Sequence, residues 1–331
     1  MKKIVLYSIV IFCAFALSSC SKGSSPQGED PNYSGYPNTA FTIFSEKDLI
    51  GGPTAIGKIG DLLLENDQIR VIIEKPIKNS FLNSFGGIIV DADLVRKNTN
   101  GNDNFGSIFP MINIEWTVNY NNYEVLANRD EDGTKVVRAY GIIDVYDYLD
   151  LDFIGAIAKG FAGQDITFSN RFDDRMNPFD IYDDLRGMDT NVTTDYILEP
   201  GKNYVKVETT LTNNGDKDVR MPVGLFINNS GQNSLLIPGT GFSPGFMKQA
   251  GGNTSAVIFP AFDDVDVSYG VFFDQNQFLS SPDDKGEKTE APKSASITYS
   301  GFTVLAWGEE LLKLLPLGGG TEPKINFTIP A

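Results

Sequence analysis

The feature that most constrains the fold of this chain is a succession of short β-rich runs separated by turn residues. The clearest run is residues 204–212, where every second position is apolar or β-branched: Val205, Val207, Thr209 and Leu211. Strand side chains alternate between two faces, so this pattern predicts a strand with one buried face and one solvent-exposed face. Residues 213–216 (NNGD) then predict a turn, and residues 219–227 predict the returning strand.

Similar runs predict strands along most of the chain. They lie at residues 68–74, 87–90, 255–259, 265–273, 295–307 and 325–329. Residues 108–118 and 123–127 flank the sequence NYNN at 119–122, which predicts a hairpin. Residues 135–148 are interpreted as a strand pair or as one strand bent at Gly141.

Helix-forming signals are scarce in comparison. Asn177, Pro178 and Gly187 predict a short helix over residues 178–186, and residues 154–161 and 309–315 are weaker candidates. Many short strands without alternating long helices predict an all-β chain, an antiparallel β-sandwich or supersandwich with few short helices. We expect residues 40–331 to form this domain, as one sandwich or as two packed sandwiches with a boundary near residues 150–190.

The N-terminus has the features of an export signal. Lys2 and Lys3 precede a nearly continuous apolar run over residues 4–17, which is shorter than the roughly 20 residues of a membrane-spanning helix. The following Leu-Ser-Ser-Cys resembles the lipobox of bacterial lipoproteins. That resemblance implies that residues 1–19 are a signal peptide, that cleavage falls between Ser19 and Cys20, and that the Cys20 thiol is lipidated. An ordinary secretory signal is the alternative.

Residues 20–39 predict a flexible tether, because Ser, Gly, Pro and Asn dominate and no apolar periodicity is present. No aspartate follows Cys20, which favours the outer membrane over the inner membrane of the envelope. The chain has two cysteines, Cys13 and Cys20. A mature domain beginning at Cys20 therefore has no cysteine pair for a disulfide, and its stability must come from its core.

The charge balance is strongly acidic. The chain carries a formal charge of −16, which becomes −18 when Lys2 and Lys3 leave with the leader. Such a surface repels phosphate backbones, so we expect no nucleic-acid partner. It favours solubility and is also compatible with cationic partners or divalent cations.

The chain contains no histidine. This excludes Ser-His-Asp and Cys-His catalysis and histidine-ligated zinc. Carboxylate, tyrosine or lysine chemistry remains, as do oxygen-ligated calcium and magnesium.

Four stretches together resemble the N-terminal β-domain of large bacterial lipoproteins that often carry a PHP-type metallohydrolase domain. They are GDLLLEND followed by IRVII (60–73), SFGGIIVDAD (84–93), YILEPG (196–201) and LTNNG (211–215). The second half is more loosely similar to galactose-mutarotase-like supersandwiches, in which carbohydrate binding is common. Catalysis in both families uses histidine, so the resemblance implies a non-catalytic part.

Several groups of residues are candidate sites, each with a plainer alternative. Asp130 and Asp132 lie in a carboxylate-rich turn that could bind calcium or be a solvated hairpin tip, as could Asp263, Asp264 and Asp266. Asp91 and Asp93 share a strand face and could pair as glycosidase-type acids or simply face solvent. Loops 98–104 and 238–242 have no assigned chemistry. Four tyrosines could stack on sugars or pack in the core: Tyr120, Tyr123, Tyr146 and Tyr148.

These observations predict a lipid-anchored binding or structural module of the cell envelope, without catalysis of its own. Its partners would be the membrane, through the lipid, and a glycan or an envelope protein. Apart from the possible calcium, we expect no cofactor. The alternative is the N-terminal part of a metallohydrolase, or a carboxylate-based glycan-active enzyme.

Overall fold

The computed structural model describes the chain in separate stretches. These are residues 3–13, 39–76, 85–97, 101–112, 116–126, 133–145, 189–215, 219–221, 223–228, 234–237, 241–244, 248–252, 256–260, 267–273, 294–299, 302–307 and 327–329. Within them, regular structure is almost entirely β-strand. The strands are β1 Lys3–Cys13, β2 Thr39–Thr42, β3 Leu62–Glu65, β4 Ile69–Ile73, β5 Ile89–Leu94, β6 Ser107–Ile112, β7 Trp116–Leu126, β8 Lys135–Val145, β9 Thr190–Leu198, β10 Tyr204–Asn213, β11 Val219–Met221, β12 Val223–Asn228, β13 Ser234–Ile237, β14 Gly241–Pro244, β15 Lys248–Gly252, β16 Ala256–Pro260, β17 Ser268–Phe273, β18 Ser294–Tyr299, β19 Phe302–Trp307 and β20 Phe327–Ile329.

The prediction of an all-β, antiparallel chain is confirmed. Neighbouring strands pair antiparallel from β2 through β6 and from β6 through β10. In the described stretches the helical structure is one 3₁₀ turn, Glu46–Asp48, which Ser45 caps by accepting a hydrogen bond from the Lys47 N–H. The helices predicted at 154–161, 178–186 and 309–315 lie outside the described residues.

The core is formed by aliphatic and aromatic side chains of the central strands. β3 and β6 are buried at every position, which requires that neighbouring elements cover both of their faces. β10 alternates between buried and half-buried residues from Tyr204 to Thr210. The alternation in its sequence therefore predicted its orientation correctly.

The hairpin predicted at residues 119–122 is wrong. These residues lie within a single strand, β7, which pairs with β8 along its whole length. The register shifts between Tyr120 and Asn122, so Asn121 is an extra residue in a β-bulge. The polar NYNN sequence reflects this bulge and not a chain reversal. Residues 135–145 form one strand, β8, in which Gly141 pairs with Tyr120, so the strand-pair alternative is wrong for these residues.

Other strand boundaries also differ from the sequence prediction. The predicted strand at 108–118 is divided between β6 and β7, the one at 219–227 between β11 and β12, and the one at 295–307 between β18 and β19. β2 begins at Thr39, the last residue of the predicted tether, and the rest of that segment lies outside the described residues.

The predicted leader forms β1 in the full chain. Its residues pair antiparallel with β10, from Lys3 opposite Thr212 to Ile11 opposite Tyr204. They also pair with β17, from Ser8 opposite Phe273 to Cys13 opposite Ser268. The apolar segment thus occupies a place between two strands of the domain. Its cleavage stays a prediction.

One buried asparagine connects two of the stretches that carry the family resemblance. Asn66 Nδ2 donates to the carbonyl oxygens of Glu199 at 2.9 Å and of Lys202 at 2.8 Å. Its Oδ1 accepts from the N–H groups of Gln68 and Ile69. All four hydrogen-bonding positions of this amide are therefore used, and they fix the 199–202 turn against the start of β4.

Candidate functional site

The largest concentration of buried charge lies around β5. Asp91 and Asp93 alternate along this strand and face the same side, opposite Ile72 and Arg70 of β4. Both side chains are fully buried. The interpretation that they face solvent is therefore wrong: residues 51–61, 96–97 and 101–105 cover them through the hydrogen bonds described below.

Asp91 binds the backbone of the loop that follows β2. Its Oδ1 accepts from the Ile56 N–H at 2.8 Å, and its Oδ2 accepts from the Gly57 N–H at 2.9 Å. A Cβ atom at residue 57 would lie 2.6 Å from Asp91 Oδ2, so the close approach requires glycine. Burial raises the pKa of Asp91 to about 6, although the two backbone N–H groups oppose that shift.

Asp103 lies next to this pair on the second loop. Its Oδ1 accepts from the N–H groups of Ala92 at 2.8 Å and Phe105 at 3.1 Å. Its Oδ2 lies 3.0 Å from Thr54 Oγ1. Burial, and then the charge of Asp91, raise the pKa of Asp103 to about 8. This carboxyl group therefore tends to keep its proton near neutral pH.

Asp93 closes the second loop from the other side. It accepts from the Leu94 N–H at 2.8 Å, from Arg96 Nε at 2.7 Å and Nη2 at 2.9 Å, and from the Asn102 N–H at 2.5 Å. The guanidinium provides a two-point contact in a charge-assisted geometry. Asp93 thus has a cationic partner, whereas Asp91 and Asp103 are held mainly by neutral donors.

Asp61 completes the group that we call the acid cluster, defined as Asp61, Asp91, Asp93 and Asp103. Its Oδ2 accepts from the Lys58 N–H at 2.7 Å and its Oδ1 from the Lys75 N–H at 2.9 Å. The Asp61 side chain therefore fixes the turn that leads into β3. All four carboxylates hold backbone segments together.

Tyr269 links the acid cluster to a distant part of the sequence. Its hydroxyl accepts from the Asn104 N–H at 2.9 Å and donates to the Ala92 carbonyl at 3.1 Å. Its ring lies 5.3 Å from that of Phe105, within the range of favourable aromatic pairs. Burial raises the pKa of the hydroxyl. β17 thereby supports both the strand and the loop that carry the carboxylates.

The geometry of the acid cluster favours a structural role. A general acid or base must come within hydrogen-bonding reach of a substrate, and each of these carboxylates is almost entirely excluded from solvent. Within the described stretches no three Asp, Glu, Cys or His side chains are arranged to hold a metal ion. The acid cluster can retain a proton, on Asp103, and it can hold the loop before β3 and the loop before β6 in place.

The remaining candidates are placed as follows. Tyr120 lies in the core, with its hydroxyl 2.6 Å from Thr194 Oγ1, so stacking on a sugar is not its role in this fold. Tyr123 is half-buried, and its hydroxyl donates to the Gly60 carbonyl. Several candidates lie outside the described residues: Ser19, Cys20, Asp130, Asp132, Tyr146, Tyr148, Asp263, Asp264, Asp266 and loop 238–240. The possible calcium site therefore stays a prediction.

Sequence reasoning did not assign roles to Asp61, Asp103 or Thr54. In the sequence Asp103 belongs to the polar segment 98–104. A single aspartate among asparagines there has the same pattern as a solvent-exposed turn, so its buried role is not apparent. The sequence does contain one indication of this site. Gly51, Gly52 and Gly57 indicate a loop whose backbone approaches other groups closely. Pairing that loop with a particular aspartate required the fold.

Comparison of the chain with protein-family models, with curated proteins and with solved structures found no match. The resemblance to the β-domain of PHP-associated lipoproteins therefore stays a prediction from its motifs. Across the described part of the chain, no helix has the length and apolar character needed to cross a membrane.

Proposed function

We propose that this chain is a lipid-anchored module of the bacterial envelope that binds or supports other envelope components and performs no catalysis of its own. The observation that supports the non-catalytic part most directly is the burial of Asp91 and Asp93. In a histidine-free chain these acids were the best candidates for acid–base work, and their oxygen atoms accept hydrogen bonds from backbone and guanidinium groups instead.

The envelope address rests on the sequence from Lys2 to Cys20. A basic start, a short apolar run and a cysteine after Leu-Ser-Ser are the features of a lipoprotein signal. Each buried methylene of an acyl chain contributes about 0.8 kcal/mol, so two or more chains hold a protein stably on a bilayer. A domain of this acidity then remains soluble beside the membrane.

The test is metabolic labelling of the full chain with radioactive palmitate in a bacterial host. We expect label in the wild-type protein and none in Cys20→Ala, with the Cys13→Ala variant as the matched control that keeps its label. Mass spectrometry of the purified wild-type protein should show an acylated N-terminus at Cys20. An intact, unmodified leader on the mature protein would contradict the proposal, as would label that persists in Cys20→Ala.

A further inference from the structure

Three large apolar side chains within residues 44–59 are exposed. Phe44 is 80% exposed, Ile59 is 50% exposed and Ile56 is 46% exposed. In the described residues the other exposed large apolar side chains are Val125 (38%) on β7 and Ile142 (46%) on β8. Three exposed apolar residues within one short segment indicate a contact surface better than scattered single residues do.

Backbone hydrogen bonds bring the segments that carry Phe44 and Ile59 together. The Gly60 N–H donates to the Ile43 carbonyl at 2.9 Å, and the Ile43 N–H donates to the Asp61 carbonyl at 2.8 Å. These bonds place Phe44 beside Ile59. Ile56 is fixed separately, because its N–H donates to buried Asp91. The acid cluster therefore holds the exposed residues in a defined arrangement.

Three lysines lie near these residues in the chain or in space, although the chain as a whole is acidic. Lys47, Lys58 and Lys75 are all exposed, and Lys75 Nζ lies 3.7 Å from where a Cβ at Gly60 would be. Of the acidic groups here, Glu46 is exposed and Asp48 is half-buried, while Asp61 is buried and accepts backbone N–H groups. We call Phe44, Ile56, Ile59 and these three lysines the Phe44 patch.

We infer that the Phe44 patch lies on the surface of the membrane that carries the lipid anchor. Apolar side chains bordered by lysines fit the boundary between acyl chains and anionic headgroups. Lysine stems can lie along apolar surface while their ammonium groups reach phosphate oxygens. This inference rests on the proposed lipid anchor at Cys20.

The position of the patch in the chain supports this partner. Phe44 follows β2 by two residues, and 18 residues lie between Cys20 and Thr39. A flexible chain of that length spans roughly 25 Å on average. The anchor would hold the patch close to the bilayer at a high effective concentration, so that a small contact area is sufficient.

The experiment uses the purified lipidated protein in vesicles of phosphatidylcholine and phosphatidylglycerol that contain doxyl-labelled lipid. A cysteine introduced as Phe44→Cys is labelled with an environment-sensitive fluorophore, since the Cys20 sulfur is a thioether in the lipidated protein. The matched control is Ile142→Cys. Ile142 is 46% exposed and lies three residues from Ala139, which pairs with Tyr123. Side chains three positions apart on a strand lie on opposite faces. Ile142 therefore lies on the face opposite to the one from which Tyr123 contacts Gly60.

We expect the lipid quencher to reduce fluorescence at position 44 several-fold more than at position 142. Lys58→Glu and high salt should both reduce the quenching at position 44, because each weakens attraction to anionic lipid. Equal quenching at both positions in protein that floats with the vesicles would overturn this inference and leave the anchor intact. Failure to float would instead contradict the proposed function.

A blue-shifted fluorophore at position 44 without vesicles would indicate that a second copy of the protein covers the patch. That result would also overturn the membrane assignment. Each outcome is distinguishable because flotation reports the anchor, quenching reports the contact with lipid, and the spectrum in solution reports contact with protein.

Discussion

The hydroxyl of Thr54 lies 2.7 Å from the carbonyl oxygen of Phe105, closer than it lies to either acceptor on Asp103. A threonine hydroxyl has one proton and can donate it to one acceptor at a time. When that proton is directed to Phe105, Asp103 Oδ2 faces an oxygen lone pair. A proton on Asp103 Oδ2 then completes the network by donating to Thr54. The geometry and the raised pKa of Asp103 thus favour the same neutral state.

This arrangement predicts that stability falls as pH rises. The unfolded Asp103 has a pKa of about 3.9, whereas burial raises its pKa in the folded protein to about 8 and that of Asp91 to about 6. Between these limits the folded state binds more protons than the unfolded state, so raising the pH favours unfolding. Asp103→Asn should flatten this dependence, because its amide reproduces the neutral acid and can donate to Thr54. Urea unfolding of both proteins between pH 5 and about 9 measures how the free energy of unfolding depends on pH.

Asp103→Ala is the matched comparison for that variant. It removes the acceptor of two backbone N–H groups, those of Ala92 and Phe105, and should reduce the free energy of unfolding by about 1–3 kcal/mol. An alanine variant as stable as Asp103→Asn, or an asparagine variant that keeps the full pH dependence, would contradict this account of the site.

Asp91→Asn should be damaging, unlike Asp103→Asn. Both oxygens of Asp91 accept backbone N–H groups, one from Ile56 and one from Gly57. An amide NH₂ at either position faces a donor, so one N–H group loses its acceptor. We expect a loss of about 1–3 kcal/mol in the free energy of unfolding, measured by chemical denaturation. Equal tolerance of asparagine at residues 91 and 103 would count against these assignments.

Two glycines with the same positive φ provide a test of packing. Gly87 and Gly201 both have φ near +67°. A Cβ at Gly87 would lie 2.6 Å from Cβ and Cγ of Tyr120, whereas a Cβ at Gly201 meets nothing within 4 Å. Gly201→Ala should cost about 1–2 kcal/mol from the left-handed conformation alone. Gly87→Ala should cost clearly more, because Tyr120 must also move within the core.

Thermal unfolding of the two alanine variants, compared with the wild-type chain, measures that difference. A similar decrease in midpoint for both would mean that the core around Tyr120 accommodates a methyl group. A larger decrease for Gly201→Ala would contradict the packing described for Gly87 against Tyr120 of β7.

The sequence predicted the strands well where one face of the strand is exposed to solvent, or where a short apolar run is bounded by turn residues. β10 and β4 were recognised for these reasons. β7 was misread because the polar residues of a bulge and of a hairpin turn are chemically alike, and only the pairing with β8 distinguishes them. Side-chain alternation gives the faces of a strand but not its neighbours.

The candidate site was predicted in part. Alternation placed Asp91 and Asp93 on one face, but their burial depends on loops whose positions are set by contacts distant in sequence. The Thr54 hydroxyl reaches Asp103 across 49 residues, and Tyr269 reaches Ala92 across 177. A local pattern contains no information about such contacts, so the role of Asp103 could not be inferred before the fold was known.

The position of β1 has a consequence for the edges of two other strands. In the full chain β1 lies between β10 and β17 and pairs with both. If residues 1–19 are removed, as the sequence predicts, the backbone groups of β10 and β17 that faced β1 lose their partners. An unpaired strand edge can pair with another chain, so the shortened domain would have to bring these two edges together or cover them.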